Sequence, residues 1–321
     1  MPKFLYLLSI IFISSIYANM FSILDSYRKD GIRPIEKELD RYLATTEYWK
    51  KKISNSDVRF GWYERAVYLL ILDTNKKNTA VYKYQNKPKL LFNMSIVLGS
   101  NGVGKKTEGD HRTPIGIYRI TQKKEHLLDI YGPLAFVTNY PNSIDRTLSK
   151  DGSGIWIHGF PPNKPNKSFT KGCIATPNIN ILKLDKTIDY RNTLVIISSK
   201  KPIESTHKEI AGIMAFIYKW RYDWKYNFID EYLSLYSKDL ISTNGDFEHF
   251  SRHKHSVFSR KQKKIIRLNN FQVTRYPNTL NKKIWRVSMD EYYKASSYVY
   301  KGKKIIYLLQ NRDGFKIWRE L

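Results

Sequence analysis

The sequence predicts an α+β protein, and three observations carry the prediction. Short apolar β runs separated by turns fill residues 66–200. A helical stretch at about 210–240 carries Ile213, Phe216, Ile217, Trp220, Trp224 and Phe228 at helical spacings. Alternating strands then run to the C-terminus. At 321 residues, two folded domains are the expected arrangement, with room for a further small element.

Taken in order, the chain starts with an apolar run at residues 4–16 behind Lys3, followed by Ala18 as a cleavage point. This reads as a secretory signal over residues 1–18, with an uncleaved N-terminal anchor as the alternative. Residues 19–63 read as a helical segment, because Ile35, Leu39, Tyr42 and Leu43 recur at helical spacing and Pro34 suits a first turn. Such a segment can pack on its own chain or pair two copies into a homodimer.

The β pattern begins with a hairpin: Val67–Leu72, a turn at Asn75–Asn78, then Thr79–Tyr84. Met94–Leu98, Gly116–Ile120, Gly154–His158 and Thr193–Ile197 read as further strands of a domain over residues 64–200. Alternation along 154–158 puts Trp156 and His158 on one face. Pro161, Pro162 and Pro165 make 159–172 a loop, expected to cover whatever His158 serves. Residues 200–208 read as a linker. The second domain, 205–321, follows with its helices and then strands at Leu268–Arg275, Lys283–Met289 and Lys303–Leu309, ending on aromatic-rich Gly314–Arg319.

Chemistry concentrates at Cys173, the one cysteine of the chain. A thiol becomes a nucleophile when a base takes its proton and backbone amides receive the resulting oxyanion. Gly172 before it permits a sharp turn, and His158 lies fifteen positions upstream. The plain alternative is a buried thiol acting as a small hydrophobe.

His158-Gly159, Thr170-Lys171-Gly172-Cys173-Ile174 and Asn178 together resemble the signature of the L,D-transpeptidase (YkuD-like) catalytic domain. An upstream block strengthens the resemblance: Gly99, then Gly109-Asp110 and Thr113-Pro114-Ile115-Gly116-Ile117-Tyr118. The chain departs from the family pattern at Ala175, where arginine is usual, and at Asn180, where an acid is usual. The whole layout resembles cell-shape-determining peptidoglycan L,D-carboxypeptidases with a C-terminal NTF2-like domain. The resemblance implies a mainly β YkuD-like catalytic domain with short helices, followed by an α+β NTF2-like cone.

It further implies a periplasmic enzyme that removes the terminal D-alanine from tetrapeptide stems through a Cys173 thioester. His158 is the implied base, and the Gly159 carbonyl the group that holds its imidazole. Gly172 and Cys173 are the expected oxyanion donors. Thr170, His111 and Trp156 are the further residues expected at the substrate, with Thr170 also fixing the turn and a scaffold role equally open for His111. Water resolves the thioester in a carboxypeptidase, and an amine of a second stem in a transpeptidase forming 3–3 cross-links. A non-catalytic cell-wall-binding protein is the third reading.

The formal net charge of +26 favours an anionic partner. Export argues against nucleic acid, whereas peptidoglycan stem peptides offer carboxylates and membrane headgroups are often anionic; solubility alone, with lysine spread along the whole chain, is the plain alternative. Two motifs invite other functions. Gly99–Lys106 approaches a phosphate-binding loop, but Lys106 stands where Ser or Thr is required, so a glycine-rich connection is the better account. His249, His253 and His255 could hold a metal, but their neighbours are cationic and a solvated basic loop is expected instead. No cofactor and no metal are expected.

Overall fold

The computed structural model describes residues 21–162, 168–242, 245–296 and 298–321. The signal segment at 1–18 and the middle of the 159–172 loop lie outside the described residues. Among those described, the strands form an eight-stranded sheet, a five-stranded sheet and a two-stranded ribbon.

In chain order, β1 (Trp62–Tyr63) stands ahead of the first unit and belongs to the second sheet. The eight strands of the first sheet follow. They are β2 (Val67–Asp73), β3 (Asn78–Gln85), β4 (Lys87–Ser95), β5 (Gly116–Glu125), β6 (Leu134–Thr138), β7 (Trp156–His158), β8 (Ile174–Ala175) and β9 (Thr193–Ser198). Their order across the sheet is β4-β3-β2-β9-β5-β6-β7-β8. The expected hairpin is β2–β3, paired from Val67↔Tyr84 to Asp73↔Asn78. Three strands differ from expectation: β8 pairs over two residues where no strand pattern stands in the sequence, and β4 and β6 differ as follows. β4 starts at Lys87 and ends at Ser95, because a lysine- and asparagine-bearing edge strand pairs through its backbone without apolar alternation. β6 lacked any turn-bounded pattern, yet its Leu134 and Phe136 fill the core under β7.

β2 and β9 are near-continuous apolar runs because both of their faces are covered. One face, with Leu70, Leu72, Val195 and Ile197, belongs to the core beneath the β7–β8 edge. The other, with Leu69, Ile71, Leu194 and Ile196, packs against Tyr276, Ile284, Tyr307, Leu309 and Trp318 of the second sheet. Over these residues the seam is apolar core. It includes a buried polar tie in which Asn142 Nδ2 donates to Tyr276 Oη at 2.9 Å and to the Ile117 carbonyl at 3.1 Å.

The ribbon strands β10 (Ile241–Ser242) and β11 (Gly245–Asp246) precede helix Phe247–Ser259. The chain then enters β12 (Ile265–Tyr276), β13 (Ile284–Lys294), β14 (Val299–Asn311) and β15 (Gly314–Glu320), which complete a five-stranded sheet in the order β1-β12-β13-β14-β15. Helix His207–Tyr226 lies on its apolar face and buries Ile213, Ile217 and Trp220.

The N-terminal helices Ile32–Leu43 and Thr46–Lys52 dock onto this second unit. Trp49, Ile53, Val58 and Trp62 join its core. Asp40, buried, binds Arg221 Nη1 at 2.7 Å and Lys225 Nζ at 2.5 Å, tying the first of these helices to His207–Tyr226. The segment therefore packs on its own chain, and β1 adds an edge to the C-terminal sheet.

Candidate active site

β7 and β8 pair in parallel, with Ile157 opposite Ile174 and His158 opposite Ala175. Parallel partners point to the same face and alternate along the strand. Cys173, one residue before β8, therefore emerges on the face that carries Trp156 and His158. The β7–β8 edge brings together two side chains that are fifteen residues apart in sequence.

His158 is 3% exposed, and its Nδ1 lies 2.6 Å from the Gly159 carbonyl oxygen. A carbonyl only accepts, so Nδ1 carries the proton and Nε2 is the basic nitrogen. Tyr131 packs edge-on against the imidazole, with ring centroids 5.3 Å apart at 88°, and also against Trp156 at 4.7 Å. Lys124 Nζ sits 4.9 Å above the Trp156 ring. Gly159 is needed for close approach, since a Cβ there would lie 2.3 Å from Asn178 Oδ1 and 2.8 Å from Pro133 Cδ. Asn178 Oδ1 in turn accepts from the Phe160 amide at 2.7 Å, pinning the chain just after the histidine.

The turn that carries Cys173 is held by two buried threonines. Thr170 Oγ1 donates to the Cys173 carbonyl at 2.7 Å and accepts from the Gly172 amide at 3.0 Å. Thr113 Oγ1 donates to the Gly172 carbonyl at 3.1 Å and accepts from the Gly99 amide at 3.0 Å. Gly172 has φ +120°, and a Cβ there would meet the Arg112 carbonyl oxygen at 2.9 Å, so only glycine fits. The Cys173 thiol is half-buried and donates to the Gly154 carbonyl at 3.2 Å.

Three expectations change at this level of detail. The Gly172 amide, expected to receive an oxyanion, is committed to Thr170 Oγ1. Thr170, expected also at the substrate, is buried and braces the turn. His111 reaches the turn through its backbone: it has φ +54°, its carbonyl accepts from the Asn101 amide, and the next carbonyl, of Arg112, faces Gly172. Tyr131 carries no sequence signal, since it stands in a Tyr-Gly-Pro turn with no periodic or motif pattern. Thr113 had a signal, since it belongs to the upstream block.

That block folds around Asp110. Its carboxylate accepts from the amides of Lys106 at 2.7 Å, Thr107 at 3.2 Å and Arg112 at 3.0 Å, and from Lys105 Nζ at 2.9 Å. Burial opposes its charge, but these donors outweigh burial and lower its pKa to about 2. Lys105, 4% exposed, also binds the Thr107 carbonyl, so it braces this loop as the glycine-rich-connection account expects. His249, His253 and His255 lie exposed on helix Phe247–Ser259 and not in a loop; Asp246 caps that helix at the His249 amide. Among the described residues no group of three His, Cys, Asp or Glu side chains is placed to hold a metal ion.

Residues 68–197 match the family model of the L,D-transpeptidase catalytic domain, and residues 212–321 that of the Cds6 C-terminal NTF2-like domain. The helical cell shape determining protein Pgp2 from Campylobacter jejuni is similar over both units. It is 32% identical, covering 87% of this chain and 99% of its own at a TM-score of 0.81. A point mutant of the same protein gives 31%, 88%, 99% and 0.83. The chain belongs to the L,D-transpeptidase (YkuD) family. Bd1075 of Bdellovibrio bacteriovorus is also similar, at 26% identity, 83% of this chain, 96% of its own and a TM-score of 0.65. No curated protein matches the sequence. Within this L,D-transpeptidase-family site, Ala175 is fully buried opposite His158 and hydrogen-bonds Val97 through both backbone groups. Asn180, the other departure, donates to Thr176 Oγ1 at 3.3 Å.

Proposed function

We propose that this chain is a periplasmic peptidoglycan L,D-carboxypeptidase that releases the terminal D-alanine of tetrapeptide stems and thereby affects cell shape. The observation that carries the reading is the tautomer lock: the Gly159 carbonyl holds Nδ1–H and leaves Nε2 as the base on the face of Cys173. Such a pair suits acyl transfer with no third acidic side chain.

In this reading His158 Nε2 takes the Cys173 proton, and the thiolate attacks the carbonyl before D-alanine. The oxyanion is received at the amide of Cys173, while Thr170 and Thr113 hold the turn in shape. His158 then protonates the departing amine, leaving a thioester. Water, deprotonated by His158, releases a tripeptide and restores the thiol. Tyr131 and Trp156 form an aromatic wall beside the imidazole, and Lys124 offers a cation to a stem carboxylate.

Hydrolysis is preferred over transfer because position 175 carries a buried methyl opposite His158 and no cation to hold an acceptor. The net charge of +26 suits a carboxylate-bearing wall polymer. The test supplies a defined tetrapeptide muropeptide with excess second stem and follows products by mass. Tripeptide and free D-alanine are expected; predominant 3–3 dimers would establish a transpeptidase instead.

A further inference from the structure

At the seam between the two sheets lies a cleft of about 490 Å³ that the catalytic site does not use. It opens where β2 and β9 begin and is closed from the other side by β12, β13 and β14. Its walls carry Arg65, Arg119, Arg191, Arg286 and Lys303, against Asp189. Arg286, on β13, is 3% exposed, and among the described residues its Nη1 has no hydrogen-bond partner.

A buried guanidinium with an unused N–H is unfavourable. It stays charged at neutral pH and loses its hydration on burial. Burial, above all, pulls its pKa below the ordinary value; the Tyr307 hydroxyl beside it works against that shift, and Arg119 adds to it. The surrounding cations are not all spare: Lys303 lies 3.8 Å from Asp290, and Arg191 Nε donates to Tyr190 Oη at 3.2 Å. Arg65 and Arg119 are exposed at the mouth. One deep arginine with two more at the rim is the geometry that binds an oxyanion, since planar guanidinium N–H groups match its oxygens in pairs.

We propose that this seam cleft is a binding site for an anionic group, a phosphate or a carboxylate, with Arg286 as the buried anchor and Arg119 and Arg65 closing on it. It is distinct from the β7–β8 site: β5, β6 and β7 separate β9 from β8 in the sheet order. A ligand there contacts both domains at once, so it fixes their relation and holds an anionic polymer while Cys173 works elsewhere on it.

The test titrates the full chain with inorganic phosphate and, separately, with glutarate, at fixed ionic strength, by calorimetry. Saturable binding of one anion per chain is expected, weakened by about tenfold or more in Arg119→Ala and in Arg286→Met. Preference for phosphate assigns a phosphorylated ligand; preference for glutarate assigns stem-peptide carboxylates. No saturable binding of either, or binding unchanged in both variants, overturns the proposal. In buffer free of both anions, Arg286→Met should melt no lower than the wild type, because a buried charge with an unmatched N–H has been removed. A lower melting temperature would mean that the chain itself satisfies Arg286, and would also overturn it.

Discussion

Around Cys173 the buried hydroxyls of Thr113 and Thr170 each serve two backbone groups of the turn. On β13 and β15, by contrast, three buried charged residues keep an atom without a hydrogen bond among the described residues: Arg286 Nη1, Glu291 Oε2 and Arg319 Nε. Lys304 Nζ lies 3.5 Å from Glu291 Oε2. The first region uses its polar groups to fix a backbone shape. The second keeps polar capacity unmatched. Chemistry at a thiol needs atoms held in place before substrate arrives, so satisfied short-range bonds suit it. Unmatched buried charge raises the free energy of the ligand-free state and is what a binding surface uses.

The contrast can be tested from the strongest expected effect downward. Cys173→Ala should abolish D-alanine release while the circular dichroism and melting curve stay close to wild type; release by a folded variant would remove the nucleophile assignment. His158→Ala should slow turnover roughly 10²–10⁴-fold and also slow alkylation of Cys173 near neutral pH. Equal alkylation rates in variant and wild type would show that thiol and imidazole are uncoupled. Chelator should leave both enzymes as they were, and recovery of a lost activity by zinc would point back to another chemistry.

Asp40→Ala should lower stability by about 3–5 kcal/mol in chemical denaturation, because it strands the buried Arg221 charge. The effect on turnover should be small, since Asp40 lies in the second unit. Thr170→Val keeps the shape of the side chain and removes both of its turn bonds. It should cost about 1–3 kcal/mol in stability and reduce kcat more than it raises KM. A change confined to KM would place Thr170 at the substrate after all.

The mildest test is acid. Asp110 has a folded pKa lowered to about 2, and at Asp40 burial is outweighed by Lys225 and Arg221, which lower its pKa too. Both stabilise the fold fully above their unfolded values near 4. For Asp110 that contribution is lost as pH falls from about 4 toward 2, and for Asp40 as pH falls below about 4. Asp110→Asn should flatten the melting temperature in this window while leaving its slope above about pH 5 unchanged.

The strands β2, β3, β5, β7 and β9 could be read from sequence because burial on one or both faces writes itself into local apolar patterns. β4 begins earlier in the chain than any local pattern indicates and β6 carries no pattern at all, since an edge strand and a short buried strand show no such alternation. The helix after the linker and its Trp220 core were visible for the same local reason. The N-terminal helices were visible as helices, but where they dock was not. Their partners, Arg221 and Lys225, lie well over a hundred residues away.

Residue type at short spacing is enough for the family, for the α+β class and for setting His158-Gly159 beside Gly172-Cys173. Only the tertiary structure decided that Thr170 captures the Gly172 amide, that Tyr131 stands against His158, that residues 62–63 complete the C-terminal sheet, and that Arg286 is buried at the seam. Each of those outcomes depends on which distant segment fills the neighbouring volume. Close packing settles that for the whole chain at once, and no local pattern records it.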